Sequence, residues 1–251
     1  MQGVANMIVL SGLVIGLVYG AVGLLSGFCM LSSLRGWWAE GDGRLVRTYA
    51  LAIGVAVAAT QLLAAAGLVD LGKSIYLQPS FSAPLIFFGG LLFGYGMVMS
   101  NGCGSRALVL LGRGNLRSFV VVIVLGIVAM MTLKGLIAPA RIAMLQASQT
   151  TTSVTSVPAL LSGLGFSEIT ARMVAASVIA AALIIFAFAS VSFRRSPGQI
   201  AAGLAIGLLV AAGWFASGYL GADDFNPTPV VSLTFIAVAG SSRDRVILRP
   251  A

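Results

Sequence analysis

Cys103 lies in a polar, glycine-rich stretch, SNGCGSR at residues 100–106, inside a very apolar chain. Gly102 and Gly104 flank the thiol and can adopt backbone angles that are closed to other residues. The following run, RALVLL, is typical of a short helix, whose N-terminal N–H groups and dipole would favour an anion. Arg106 would add a second positive field. The stretch therefore predicts an anion site beside a sulfhydryl, as in transporters whose broken helices point their N-termini at anionic substrates.

Other interpretations of the cysteines stay open at this point. Ser100 or Asn101 could cap the short helix, but Cys103 could also be a small buried residue whose glycine neighbours pack helices. For Cys29, in the apolar segment SGFCM, packing is the ordinary role of such a residue. A disulfide between Cys29 and Cys103 is a third option, although a reducing cytosol disfavours it.

The composition is that of an integral membrane protein. Of 251 residues, 59% are hydrophobic and 9% are charged, and the mean hydropathy is +1.03, whereas soluble domains carry about 25% charged residues. The net charge of +8 comes mostly from short loops between apolar runs, which is typical of topology signals rather than of nucleic-acid binding. Histidine is absent and the carboxylates do not cluster, so neither a metal site nor any other cofactor is expected.

The predicted fold class is an all-α polytopic bundle with short re-entrant or broken helices, forming a single membrane domain over 1–251. The segment 139–170 is predicted as an outer loop, with a helix beginning near Ser167, between a four-span unit (1–138) and the C-terminal spans and basic tail (171–251). A seventh apolar run is too short to cross as a straight helix. A span needs about 20 mostly apolar residues, and the runs are 7–30, 48–69, 81–101, 118–138, 171–193 and 199–219, with the short one at 230–240.

The distribution of basic residues predicts that the N-terminus lies outside. In that orientation the inner loops carry eight arginines, and the outer loops carry three lysines or arginines. Cytoplasmic loops are enriched in these residues. The model assumes that each apolar run crosses once.

Some polar residues lie within or beside the spans. Lys134 is expected to snorkel to the outer interface. Gln61 could line a path or bond a neighbouring helix, and Asn115 is expected to shape a turn before the next helix.

A weak internal repeat relates VYGAVGLLSGFC, which ends at Cys29, to GYGMVMSNGC, which ends at Cys103. Each segment has Tyr-Gly, then small or apolar residues, then a glycine close before the cysteine. The spacing differs by two residues, so chance similarity among glycine-rich helices is an alternative. If the repeat is real, it predicts two equivalent helix breaks, each presenting a thiol.

The chain resembles the YeeE/YedE family in several segments that together cover most of its length. That family includes bacterial inner-membrane proteins for thiosulfate uptake and relatives linked to selenium or sulfur trafficking. The most specific segment is the GCGS…LGRGN run. The segments are GFCM at 27–30, FGYGMVMSNGCGSRALVLLGRGNLRS at 93–118, GLLVAAGWFASG at 207–218 and PVVSLTF at 229–235.

The resemblance implies a compact bundle with an hourglass-like profile, in which thiosulfate passes between conserved cysteines through hydrogen bonds with their thiols. Cys29 and Cys103 match the first two of those cysteines. Family members that transport thiosulfate continue past SLTF into spans with a third cysteine, whereas this sequence ends in AGSSRDRVILRPA. It is therefore expected to be naturally short, truncated or paired with a second membrane subunit. The candidate substrate-binding residues are Cys29, Asn101, Gly102, Cys103, Gly104, Ser105 and Arg106.

The sequence therefore predicts a transporter, not an enzyme, that carries thiosulfate or a related small sulfur-containing anion through the bilayer of the bacterial inner membrane. A cytosolic sulfurtransferase is the expected partner. Two alternatives stay open. One is a membrane sulfurtransferase that holds a persulfide on Cys103. The other is a non-transporting subunit of a sulfur or selenium transport complex.

Overall fold

A computed structural model describes residues 2–69, 82–133, 135–148, 168–220 and 232. These residues are predominantly helical, and no strand occurs within the described ranges. The all-α prediction is confirmed. The helices are α1 (Gln2–Ser26), α2 (Met30–Ala39), α3 (Arg44–Ala65), α4 (Ala83–Met99), α5 (Gly104–Gly112), α6 (Leu116–Leu133), α7 (Ala138–Ala147), α8 (Glu168–Phe188), α9 (Val191–Arg194) and α10 (Pro197–Phe215), which continues into a π-helical turn, Ala216–Leu220.

Six helical stretches are long and apolar enough to cross a membrane, as predicted. Two of them, Val9–Ala39 and Ala83–Gly112, extend further than expected because each contains a helix break followed by a short second helix. The chain is therefore a multi-pass membrane protein. The apolar run 230–240, the basic tail and Lys134 lie outside the described residues, apart from Ser232, whose hydroxyl donates to the Val210 carbonyl at 2.7 Å.

The segment 139–170 was expected to be an outer loop, but most of its first ten residues belong to α7. Pro139 in the first turn explains the start of α7, because proline is preorganised for that position and needs no hydrogen-bond partner there. The next long helix begins at Glu168, which agrees with the start expected near Ser167. The Ser/Thr-rich run between the two helices lies outside the described residues.

The chain divides into two compact units. The first comprises residues 1–79 and 152–233, and the second comprises residues 80–151 and 234–251. Within the first unit α3 packs against α2, α8 and α10, and α1 packs against α10. Within the second unit α6 packs against α5 and α7. The predicted single membrane domain, with its division at 139–170, stays a prediction.

The closest helix packing in the first unit joins α3 and α10 at two glycines that are four residues apart. A Cβ on Gly207 would lie 2.7 Å from the Val55 Cβ and 2.8 Å from the Ala52 carbonyl oxygen. A Cβ on Gly203 would lie 3.1 Å from the Leu51 Cδ2. Such a pair of small residues lets two helix backbones approach closely in a membrane.

This packing predicts that Gly207→Ala destabilises the protein by about 1–3 kcal/mol, the usual cost of overfilling a packed interface. Gly16→Ala is the matched control, since no described atom outside the local helix lies within 4 Å of its added Cβ. Thermal unfolding in detergent, followed by tryptophan fluorescence, measures both variants. Equal midpoint shifts in the two would contradict the close α3–α10 contact.

Candidate functional site

Cys103 lies at the break between α4 and α5. Asn101 has a φ of +56°, and the Gly102 N–H donates to the Met97 carbonyl at 2.9 Å. This is the Schellman arrangement that ends a helix with a left-handed residue. Cys103 follows in an extended conformation and is the N-cap of α5. The thiol is therefore carried at the N-terminus of a nine-residue helix.

The expectation that Ser100 or Asn101 caps α5 is wrong, because both residues terminate α4 instead. Asn101 supplies the left-handed conformation, which asparagine tolerates better than most residues. The Ser100 hydroxyl lies 2.8 Å from the Gly96 carbonyl oxygen and 2.7 Å from the Gly102 carbonyl oxygen. The cap position thereby falls to Cys103.

Cys29 lies at a break of the same kind, between α1 and α2. Gly27 has a φ of +67°, and the Phe28 N–H donates to the Gly23 carbonyl at 3.2 Å. Cys29 then has an extended backbone and is the N-cap of α2, a helix of ten residues. Its carbonyl accepts the Ser33 N–H at 2.9 Å and the Ser33 hydroxyl at 2.7 Å.

The two breaks share the same helix-end geometry when they are aligned at their cysteines, so the structure contains the two helix breaks that the repeat predicted. Gly27 corresponds to Asn101, and Ser26 corresponds to Ser100. Each serine hydroxyl donates to the carbonyl four residues earlier, at 2.7 Å for Ser26 and 2.8 Å for Ser100. In this alignment the two Tyr-Gly pairs are offset by two residues. The shared geometry therefore lies at the helix ends and not in the preceding helices.

A cavity of about 100 Å³ adjoins the Cys103 break. The thiol is half-buried, and its Sγ lies 3.0 Å from the Ser105 Oγ. Two arginines, Arg106 on α5 and Arg117 on α6, are among the residues that line the cavity, and none of its described lining residues is acidic. The polar lining residues are Ser100, Asn101, Cys103, Arg106, Asn115, Arg117 and Ser118.

The two glycines that flank Cys103 each make a close approach. A Cβ on Gly102 would lie 2.8 Å from the Arg106 Cδ, so glycine leaves room for that side chain to lie back along the break. A Cβ on Gly104 would lie 3.1 Å from the Leu125 Cδ1 on α6. Gly102 therefore serves the placement of Arg106, and Gly104 serves the packing of α5 on α6.

Asn115 shapes the turn before α6, as predicted. Its Oδ1 accepts the N–H groups of Arg117 at 3.0 Å and Ser118 at 3.4 Å. Asn115, Arg117 and Ser118 also line the cavity, a role that the sequence analysis missed. The short GRGN turn could have predicted this role, because a short turn between two helices places the first turn of α6 beside α5.

Cys29 has a different environment from Cys103, because it is only 1% exposed. The neighbouring Phe28 ring stacks on Tyr49 of α3, with centroids 4.0 Å apart and planes 12° apart. Neither cysteine forms a disulfide, so the Cys29–Cys103 disulfide considered from the sequence is absent. The described residues include no group of three or more His, Cys, Asp or Glu side chains that could hold a metal ion.

Of the seven predicted site residues, six are consecutive at the second break, and Cys29 lies in the first unit. Asn101, Gly102, Cys103 and Arg106 line the cavity. Ser105 lies beside the thiol rather than among the lining residues, and Gly104 packs on α6. Binding of substrate by these residues stays a prediction.

Comparison with protein families identifies the class of transport. A family model described as sulphur transport matches residues 25–243. The chain belongs to this sulphur transport family. The match confirms the resemblance to the YeeE/YedE family, and it includes both cysteine breaks. No match was found among curated proteins.

The shared geometry of the breaks gives a prediction for this sulphur transport family member. Asn101→Gly and Gly27→Asn should keep uptake of the transported anion near wild type, because both replacements tolerate a positive φ. Asn101→Val should lower the yield of folded protein or its uptake severalfold, since strained backbone costs about 1–3 kcal/mol. Uptake at equal membrane expression measures all three, and wild-type behaviour of Asn101→Val would contradict the strained position.

Proposed function

We propose that this chain imports thiosulfate, or a related small sulfur-containing anion, by thiol-assisted passage through the membrane. The observation that supports this best is the presence of two cysteines at equivalent helix breaks in a sulphur transport family member. A thiol donates a weak hydrogen bond and is polarisable, which suits the terminal sulfur of thiosulfate better than a hydroxyl does.

The electrostatics around Cys103 favour an anion. The N–H groups at the start of α5 point toward the cap position, and Arg106 and Arg117 line the adjoining cavity. A cavity of about 100 Å³ accommodates only a few heavy atoms, which limits the ligand to a small molecule or ion. In the proposed mechanism the thiol donates to the anion, the Ser105 hydroxyl contacts the thiol, and Arg106 and Arg117 offset the charge of the anion.

Movement of a dianion inward opposes an inside-negative membrane potential by about 4.6 kcal/mol per 100 mV, twice the cost for one charge. Consumption of the anion by a cytosolic sulfurtransferase would keep its inner concentration low and sustain inward flow. This partner, the bacterial inner membrane as the location and an external N-terminus are parts of the proposal.

The test is uptake of ³⁵S-labelled thiosulfate in a bacterium that lacks its own thiosulfate importers. Wild-type chain should raise uptake above an empty-vector control, and unlabelled thiosulfate should compete more strongly than equimolar sulfate or sulfite. Full uptake into sealed vesicles without a cytosolic partner or ion gradient would remove the sulfurtransferase from the proposal. Absence of uptake by well-expressed wild type would contradict the import function.

A sulfurtransferase gives a different result in the same cells. In that reaction the Cys103 thiolate would attack the outer sulfur of thiosulfate, the bond between the two thiosulfate sulfurs would break, and sulfite would leave. The persulfide that remains on Cys103 is detected by mass spectrometry as an added sulfur atom on the cysteine peptide. A persulfide on Cys103 without net uptake of thiosulfate would show that the protein is a sulfurtransferase and not a transporter. Uptake with an unmodified Cys103 supports hydrogen-bonded passage.

A further inference from the structure

The Gln199 side chain, in the first turn of α10, joins three helices of the first unit. Its Nε2 donates to the Ser26 carbonyl oxygen of α1 at 3.2 Å. Its Oε1 lies 2.9 Å from the Thr48 Oγ1 of α3 and accepts from that hydroxyl. Thr48 is fully buried, at 0% exposure, so this tie lies inside the unit rather than on its surface.

The chemistry of the partners fixes which way the Gln199 amide points. The Ser26 carbonyl can only accept a hydrogen bond, so the amide NH₂ must face it. The carbonyl end of the amide then faces Thr48, whose hydroxyl also lies 3.0 Å from the Arg44 carbonyl oxygen. Reversal of the amide would set two carbonyl oxygens against each other.

Gln199 does not make the local hydrogen bond that its sequence context favours. The sequence SPGQ at 196–199 is a capping-box pattern, in which the glutamine would reach back to the N–H of the cap serine. Here the Ser196 hydroxyl donates instead to the Ser192 carbonyl at 3.0 Å, and the Gln199 side chain reaches α1 and α3. The Gln199 side chain therefore bonds two other helices instead of the backbone at the start of its own helix.

The Ser26 carbonyl is at the end of α1, where backbone acceptors lack helical partners. It immediately precedes the left-handed Gly27 and lies three residues before the buried Cys29. We propose that Gln199 is a positioning residue, which holds the Cys29 break in place by tying the end of α1 to α3 and α10. This inference rests on the proposed function for the importance of Cys29, but its structural content does not.

A cavity beside Gln199 allows a reagent to test these hydrogen bonds. Ser26 and Gln199 both line a cavity of about 540 Å³ in the first unit. This volume admits a small alkylating reagent such as iodoacetamide. Loosening the break should therefore expose Cys29 to reagent that enters from the cavity.

The experiment measures alkylation of Cys29 and Cys103 by iodoacetamide in the same purified chain, with both peptides quantified by mass spectrometry. Gln199→Met keeps the length of the side chain but removes both hydrogen bonds. It should raise the Cys29 rate about tenfold or more, since each of the two hydrogen bonds contributes about 0.5–1.5 kcal/mol to the opening equilibrium. Thr48→Val should act in the same direction, and Thr48→Ser, which keeps the hydroxyl, should restore the wild-type rate.

Cys103 is the internal control, because Gln199 and Cys103 belong to different units. Selective acceleration at Cys29, with rescue by Thr48→Ser, supports the positioning role. Unchanged Cys29 rates, or equal acceleration of both thiols, would overturn it. Failure of wild-type uptake would count against the proposed function and would leave this alkylation result unaffected.

Discussion

Cys103→Ala should reduce thiosulfate uptake about ten- to hundredfold, because it removes a donor to a charged ligand at the start of α5. The loss should appear mainly as a raised KM if the thiol contributes to binding along the path. The half-buried thiol lies at the cavity, so little packing is lost with it. Initial rates of ³⁵S-thiosulfate uptake across a concentration series measure the effect.

Two variants separate the chemistry of Cys103 from its structural role. Cys103→Ser keeps a donor and is itself a good cap residue, so partial uptake is expected if hydrogen bonding suffices. Leu108→Ala alters an exposed position of α5 and should transport as wild type. Full uptake by Cys103→Ala at equal expression would exclude a role for this thiol in passage.

The features that the sequence predicted well depend on local composition. Six apolar runs are long enough to cross a membrane, and they became six helical stretches, because length and hydropathy alone fix such elements. The glycines beside Cys103 were expected to supply backbone angles closed to other residues, and this was wrong, because the left-handed residue of the break is Asn101 and neither Gly102 nor Gly104 has a positive φ. Both glycines instead make close approaches to other side chains. Asn115 caps α6, as its turn context predicted, because an asparagine side chain at a helix start can accept the N–H groups two and three residues onward.

The features that the sequence missed depend on which helices pack together. Arg117 counted only as an inner-loop charge, and its place in the cavity wall follows from the packing of α5 on α6. Gln199 is separated by 173 residues from its partner Ser26, so no local pattern connects them.

The repeat shows how a local rule decides between similar alignments. The two Tyr-Gly pairs differ by two residues in their distance from the cysteine, whereas both helix ends have one left-handed residue two positions before the cysteine. Glycine serves at one break and asparagine at the other, since both tolerate that conformation. Backbone geometry at the break is therefore a better guide to equivalence than identity within the preceding helix.

Arg106→Gln should raise the KM for thiosulfate about tenfold or more, since hydrogen bonds to charged groups contribute about 1.5–3 kcal/mol. Arg106→Lys should recover part of this loss, because lysine keeps the charge but not the planar fork of donors. Arg113→Gln is the matched control, because Arg113 is exposed at the end of the same helix and is not among the residues that line the cavity.

The Arg106 side chain also packs against the break, because Gly102 leaves room for its stem. Its loss could therefore act through folding rather than through charge, and a thermal unfolding midpoint separates the two. An unchanged midpoint with a raised KM in Arg106→Gln, and partial recovery in Arg106→Lys, supports a role in holding the anion. Equal KM values for wild type, Arg106→Gln and Arg113→Gln would show that the guanidinium does not act on the substrate, and would shift the electrostatic role to Arg117 and the helix N-terminus.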